Sequence, residues 1–188
     1  MDILEIEILK EKFDIIECVG VLHHMEKPLN GLQRLLKVLE NDGFLLLGLY
    51  SKKARRTIQK AREYISSNNL KPNKKNIRNF RENIFSGALK EYSQLCKIAD
   101  FYTISECRDL CFHEKEHQFT LNNIAYLLKI KNLEFLGFHI PSNIKSLYKN
   151  RFPEDKTQLN LKNWMKLENE YPELFLGMYQ FWVSKTKI

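Results

Sequence analysis

Four short apolar runs punctuate an otherwise polar chain, at residues 13–19, 44–50, 135–140 and 178–183. The first, Phe13-Asp14-Ile15-Ile16-Glu17-Cys18-Val19, is β-branched and nearly continuous, the pattern of a strand buried on both faces. Phe44-Leu45-Leu46-Leu47-Gly48-Leu49-Tyr50 reads the same way. Phe135-Leu136-Gly137-Phe138-His139-Ile140, stopped by Pro141, is a third strand, and Met178-Tyr179-Gln180-Phe181-Trp182-Val183 a fourth. Between the first two the apolar spacing changes to that of a helix. Leu29, Leu32, Leu35, Leu36 and Leu39 stripe one face of a helix starting near Pro28, where a first-turn proline loses no hydrogen bond. Asn41-Asp42-Gly43 is expected to be the turn that stops it. Strand, helix and strand on short links predict a parallel βαβ unit with a right-handed crossover.

Ser51 is placed to cap a helix running towards Ile65, and residues 66–76, polar and holding Pro72, read as a loop. Ile77, Phe80, Ile84 and Leu89 predict one helix over about residues 77–98. Residues 101–116 follow no single period. Thr120 can cap a helix whose Ile124, Leu127 and Leu128 face inward. An amphipathic, mostly helical stretch over 148–171, entered through 155–160, places Trp164, Leu167 and Tyr171 on one side. Four β-type runs separated by helices exclude an all-helical protein. The prediction is a single α/β domain over residues 1–188, with 52–132 a mostly helical insertion or lid.

Composition agrees with a packed globular chain: 44% of the 188 residues are hydrophobic and 12% aromatic. The longest apolar run, residues 44–50, is far short of the roughly 20 residues that span a bilayer. Met1-Asp2-Ile3-Leu4-Glu5 lacks the basic and apolar regions of a secretion signal, so a cytoplasmic protein without membrane association is expected. Cys18, Cys96, Cys107 and Cys111 form no disulfide framework and are expected as free thiols. The net charge of +7 is local, with eleven Lys or Arg and the single acid Glu63 between residues 52 and 81. Such a stripe can attract a polyanion, so a basic nucleic-acid-binding module is one reading. Only Tyr64 and Phe80 could stack on bases there, which favours a solvated helix face. Cys107, Cys111, His113 and His117 are four potential soft ligands within eleven residues. Structural zinc sites favour closer C-x2-C pairs, and on one helix the two pairs would face different ways, so no metal is assigned.

Residues 13–25, Phe13 through His23-His24-Met25, resemble the fourth-strand motif of class I S-adenosylmethionine-dependent methyltransferases. Asn41-Asp42-Gly43-Phe44-Leu45 resembles that family's turn into the fifth strand. The likeness continues through 48–51, 54–56, 105–110, 116–117 and 119–121, and closes at Met178-Tyr179-Gln180-Phe181-Trp182. The set is similar to bacterial methyltransferase domains often linked to tetratricopeptide repeats. The resemblance implies a C-terminal half: a truncated Rossmann-like fold whose four strands are family strands 4, 5, 7 and 6 in space. It implies S-adenosylmethionine as cofactor, with Asp2 accepting from the adenine amine and Ile3 beside the ring. Cys18, Val19 and His23 would line the cofactor cleft, His23 doubling as a catalytic base, and Tyr50, His113 and His117 would line the substrate pocket. The seven glycines form no G-x-G cluster, so the glycine-rich cofactor loop has no counterpart and cofactor binding is incomplete in this chain. An inactive or weakly active fragment with an exposed first strand follows, together with a complementary polypeptide that supplies the missing half. The alternatives are a non-catalytic remnant that binds protein through its open sheet edge, or the nucleic-acid module. The methyl acceptor is not specified by these residues.

Overall fold

A computed structural model describes residues 2–112 and 116–186. In chain order the elements are β1 (Phe13–Val19), α1 (Pro28–Val38), β2 (Leu39–Leu49), α2 (Arg56–Ser67), α3 (Lys74–Phe85), α4 (Ile104–Cys107), α5 (Leu121–Ile130), β3 (Leu133–Phe138), α6 (Ser142–Arg151), α7 (Leu161–Glu170) and β4 (Tyr179–Lys185). Short 3-10 helices occupy Ile3–Leu9, Leu22–His24, Lys90–Lys97 and Ala99–Phe101. The chain divides into two compact units, a sheet unit of Met1–Ala54 with His117–Ile188 and a helical unit of Arg55–Glu116. The helical unit is narrower than the expected 52–132, because α5 buries Leu121, Ile124, Leu127 and Leu128 in the core of the sheet unit.

The sheet has the order β1-β2-β4-β3. β1 and β2 are parallel, and β4 runs antiparallel to both of its neighbours. This is the 4-5-7-6 order expected of a methyltransferase C-terminal half. The crossover helix α1 begins with Pro28 in its first turn and buries Leu32, Leu35 and Val38. Gly31 lets it settle onto the Leu22–His24 turn, since a Cβ there would lie 2.4 Å from Met25 Sδ and 2.7 Å from Leu22 Cδ2.

Several local expectations are corrected. Asn41-Asp42-Gly43 does not form a helix-stopping turn: α1 ends at Val38 and the chain enters β2 directly at Leu39. The three residues sit inside β2 where the register slips, from Phe13↔Leu39 to Ile15↔Phe44. Gly43 is required there because a Cβ would lie 2.9 Å from the Asp14 carbonyl oxygen. The helix expected over 77–98 stops at Phe85, since Gly87 takes φ +81°, and a 3-10 helix follows. The stretch 148–171 is two helices rather than one. The chain between them folds back under Trp164, whose Nε1 donates to the Gln158 carbonyl at 2.7 Å, and Gln158 itself has φ +60°.

β1 is not buried on both faces. The sheet unit's core draws on Cys18, Leu45, Leu47, Leu49, Tyr179, Phe181 and Val183, which share one face, packed against α1, α5, α6 and α7. The other face carries Ile15, Glu17 and Val19 opposite Phe44, Leu46 and Gly48, with Trp182 opposite Leu46. Ile15 is 60% exposed and Phe44 47%, so this face is apolar and open around β1. β1 is also an edge of the sheet.

The helical unit has its own core. Phe80 is its hub, with ring centroids of Tyr64, Tyr92, Phe101 and Phe112 at 5.9–6.4 Å. Ile58, Ala61, Ile65, Ile77, Ile84 and Leu95 fill in around it. Asn73 and Thr103 cap α3 and α4 by accepting from backbone N–H groups. The first and last residues of the unit are joined: Arg55 Nε and a terminal nitrogen donate to the two oxygens of Glu116 at 2.8 and 2.9 Å. Arg62 donates to Glu116 at 3.0 Å and to the Leu110 carbonyl at 2.7 Å.

Candidate functional site

In a parallel pair the loops that leave the carboxyl ends of the strands form a crevice, and ligands of open α/β sheets bind there. In this chain those loops follow Val19 and Leu49. Cys18 lies at the end of β1 and is buried, hydrogen-bonded to the Leu22 backbone. Burial pushes its thiol up to about 11, so it is an uncharged packing group at neutral pH. Val19 is 36% exposed. It leans on Gly48, where a Cβ would lie 2.7 Å from Val19 Cγ1, so the two strands approach closely at this end. Gly20, at φ +80°, turns the chain out of the sheet.

His23 is fully buried in the turn that follows. Its ring centroid lies 3.7 Å from that of Tyr50 at an interplanar angle of 31°, and 4.4 Å from that of His24. Tyr50, half-buried, immediately follows β2. The segment returning to the sheet unit closes over the same place. The His117 N–H donates to the His23 carbonyl at 2.7 Å, Phe119 N–H to the Tyr50 carbonyl at 2.8 Å, and Lys52 N–H to the Phe119 carbonyl at 2.8 Å. The exposed His117 ring holds Nε2 3.2 Å from the Glu26 carbonyl oxygen. A carbonyl only accepts, so that nitrogen carries a proton, and in the neutral ring Nδ1 is the acceptor.

The structure therefore brings Cys18, Val19, His23, Tyr50 and His117 to one end of the sheet. Asp2 is exposed, and one carboxylate oxygen caps the first 3-10 helix by accepting from Leu4 N–H at 2.9 Å. Ile3 is half-buried against the sheet unit's core. His113 lies outside the described residues. Cys107 and Cys111 are buried and hydrogen-bonded to each other in the helical unit's core. Among the described residues no group of three or more His, Cys, Asp or Glu is arranged to hold a metal. A recess lined by Leu36, Asp42, Lys131 and Lys185 lies at the opposite end of the sheet, where β2 begins and β4 finishes.

Sequence reasoning missed a buried polar cluster beside Tyr50. Ser51, fully buried, places its hydroxyl 3.0 Å from both a Glu168 carboxylate oxygen and the Tyr179 phenol oxygen. Tyr179 also donates to Glu168, and Lys53 Nζ stands 3.6 Å from the other carboxylate oxygen. The available signal was a carboxylate at position 168, one turn beyond Trp164 and next to Leu167, inside the apolar stripe of α7.

The thiols give a direct check of this packing. Cys18, Cys107 and Cys111 are buried and Cys96 is half-buried. Titration of the native chain with a disulfide reagent at neutral pH is expected to modify Cys96 first, the remaining three reacting only as the protein unfolds. Rapid native modification of Cys18 would contradict its placement.

Residues 1–47 match a family model described as a methyltransferase domain. An uncharacterized protein of Synechococcus sp. is 27% identical over 150 residues, which make up 73% of this chain and 35% of that protein. The structure of PKMT2 from Rickettsia typhi superposes with a TM-score of 0.69 at 15% identity, covering 100% of this chain and 38% of that one. The same protein in complex with AdoHcy gives 0.71 at 14% identity and covers 39% of the solved chain. This chain thus spans little more than a third of the length of the relatives it matches. The sheet order and the likeness to both Rickettsia structures give this chain the Rossmann-like fold seen in methyltransferases, and its residues 1–47 match the methyltransferase domain model.

Proposed function

We propose that the chain is the C-terminal part of an S-adenosylmethionine-dependent methyltransferase domain, supplying the fourth-strand side of the cofactor cleft and part of the acceptor pocket. The observation that carries this reading is the β1-β2-β4-β3 order, with Val19, His23 and Tyr50 gathered at the carboxyl ends of its parallel pair. The Rickettsia protein of the same fold binds AdoHcy. The residues here fit one side of such a cofactor. Val19 and Val21, 36% and 43% exposed, offer an apolar surface where the chain leaves β1. Asp2 keeps a carboxylate oxygen beyond its cap bond, with Ile3 beside it. The glycine-rich loop that would approach the methionine end is not among these residues.

The cofactor, when bound, supplies an activated methyl group. Its transfer is an in-line displacement that asks the protein for alignment, exclusion of water and a proton acceptor. His23, enclosed beneath Tyr50, serves as the floor of the pocket rather than as the base. His117, exposed and with Nδ1 available, is the acceptor among the described residues. Tyr50 lines the acceptor side. A complementary segment, from the same polypeptide or a second one, pairs a strand with the open edge of β1 and packs a further layer on the face bearing Ile15 and Phe44. Among the described residues no helix is long and apolar enough to cross a membrane.

The test is a titration of the isotopically labelled chain with S-adenosylhomocysteine up to millimolar concentration, followed by amide chemical shifts. Shifts at residues 2–3 and 18–23, and none between 56 and 81, are expected. If those residues stay silent, the non-catalytic protein-binding remnant becomes the better reading. A mobility shift with single-stranded nucleic acid that weakens steeply with salt would point instead to the basic nucleic-acid-binding module.

A further inference from the structure

Glu168 is the one carboxylate on the buried face of α7, which otherwise presents Asn163, Trp164 and Leu167. Its side chain is 1% exposed. A carboxylate in such a place is costly unless it is paired and its lone pairs are used, and a leucine would fill the position. The groups that satisfy Glu168 come from the turn after β2 and from the start of β4: the Ser51 hydroxyl at 3.0 Å, Lys53 Nζ at 3.6 Å, and the Tyr179 phenol. Burial, and then the bond to Glu168, hold the Tyr179 phenol well above its ordinary range, so Tyr179 stays a donor to the carboxylate. The Ser51 oxygen in turn accepts from Ala54 N–H at 3.2 Å. Three of the four residues from Ser51 to Ala54 are thus anchored on one buried group, and Tyr50 directly precedes them.

We propose that Glu168 is the positioning residue of the carboxyl-end site: by fixing the turn at Ser51 and Lys53 it sets the Tyr50 ring against His23. The backbone on the far side of the turn is already pinned, with the Tyr50 carbonyl accepting from Phe119 N–H and Lys52 N–H donating to the Phe119 carbonyl. Those bonds fix the path of the chain. The side-chain anchor at Ser51 fixes its roll about that path, and the roll determines whether the ring of residue 50 lies over His23 at 3.7 Å or swings away. Tyr50 and His23 are the residues the proposed function places in the pocket, so the inference rests on that reading for its meaning but not for its test.

The test reads the stack itself, in the absence of cofactor. In the intact chain the Tyr50 ring, 3.7 Å from the His23 ring, is expected to shift the His23 ring protons upfield. Glu168→Gln keeps the volume and removes the charge, and Ser51→Ala removes the hydroxyl that ties the turn to it. In both, the His23 ring protons are expected to lose most of their upfield shift while amide shifts along β1 and α1 stay in place. Should Glu168→Gln fail to fold, Ser51→Ala alone decides. A folded variant of either kind with native His23 ring shifts would overturn the proposal and leave Glu168 as a packing residue. Cofactor titration is independent of this readout, so silence at residues 2–3 and 18–23 would remove the methyltransferase reading without touching the result for Glu168.

Discussion

Trp164→Ala is expected to lower the stability of the sheet unit by about 3–5 kcal/mol, the cost of emptying a large aromatic site in a close-packed core. The side chain is 1% exposed. Its ring lies 4.1 Å from Tyr148, 5.2 Å from Phe138 and 6.0 Å from Phe175, and its Nε1 donates to the Gln158 carbonyl. Alanine therefore opens a cavity among three rings and strands a carbonyl in the loop joining α6 to α7. Small domains hold together by only about 5–15 kcal/mol in total, and a sheet with an open edge belongs near the lower end. Trp182 is the only other tryptophan. Its fluorescence during urea denaturation reports the same unit after Trp164 is gone, and a midpoint unchanged from the parent chain would refute the prediction.

Glu116→Ala should be comparably damaging, by about 3–5 kcal/mol, and confined to the helical unit. The carboxylate is 3% exposed and stands between the guanidiniums of Arg55, 5% exposed, and Arg62, 17% exposed. Removing one partner of a buried ion pair costs far more than the pair itself contributes, because the other charge stays out of water. The double substitution Arg55→Met with Glu116→Leu is accordingly expected to recover much of the loss. Hydrogen exchange of the α2 amides measures both. Equal protection in the parent and in Glu116→Ala would show that the pair is dispensable.

The nearly continuous apolar run made β1 legible to the residue, though not its one-sided burial, and the order of the four strands followed from the family resemblance. What escaped was of three kinds. The register slip at Glu40–Gly43 depends on how close β1 comes to β2, a tertiary fact that local turn chemistry at Asn41-Asp42-Gly43 does not encode. The break after Phe85 is written in Gly87, whose left-handed φ outweighs the continuing helical spacing of Leu89, Tyr92 and Leu95. The site was legible in its strand-end members, Cys18, Val19, His23 and Tyr50, because they follow directly from where β1 and β2 end. Ser51, Glu168 and Tyr179 were invisible together, since 117 and 128 residues separate Ser51 from its two partners.

The edge strand carries two acids, Asp14 and Glu17, both exposed. If two copies of the chain met edge to edge, antiparallel, in the register that sets residue 17 across from residue 17, the two Glu17 carboxylates would stand opposed on one face of the sheet. Like charges directly opposed across a strand pair are repulsive. A strand with lysine, arginine or neutral polar groups at the corresponding places would meet no such penalty. β1 thus discriminates by charge in that register: Glu17 resists its own copy and accepts an unlike strand, so the residue that keeps an apolar edge dispersed also selects what pairs with it.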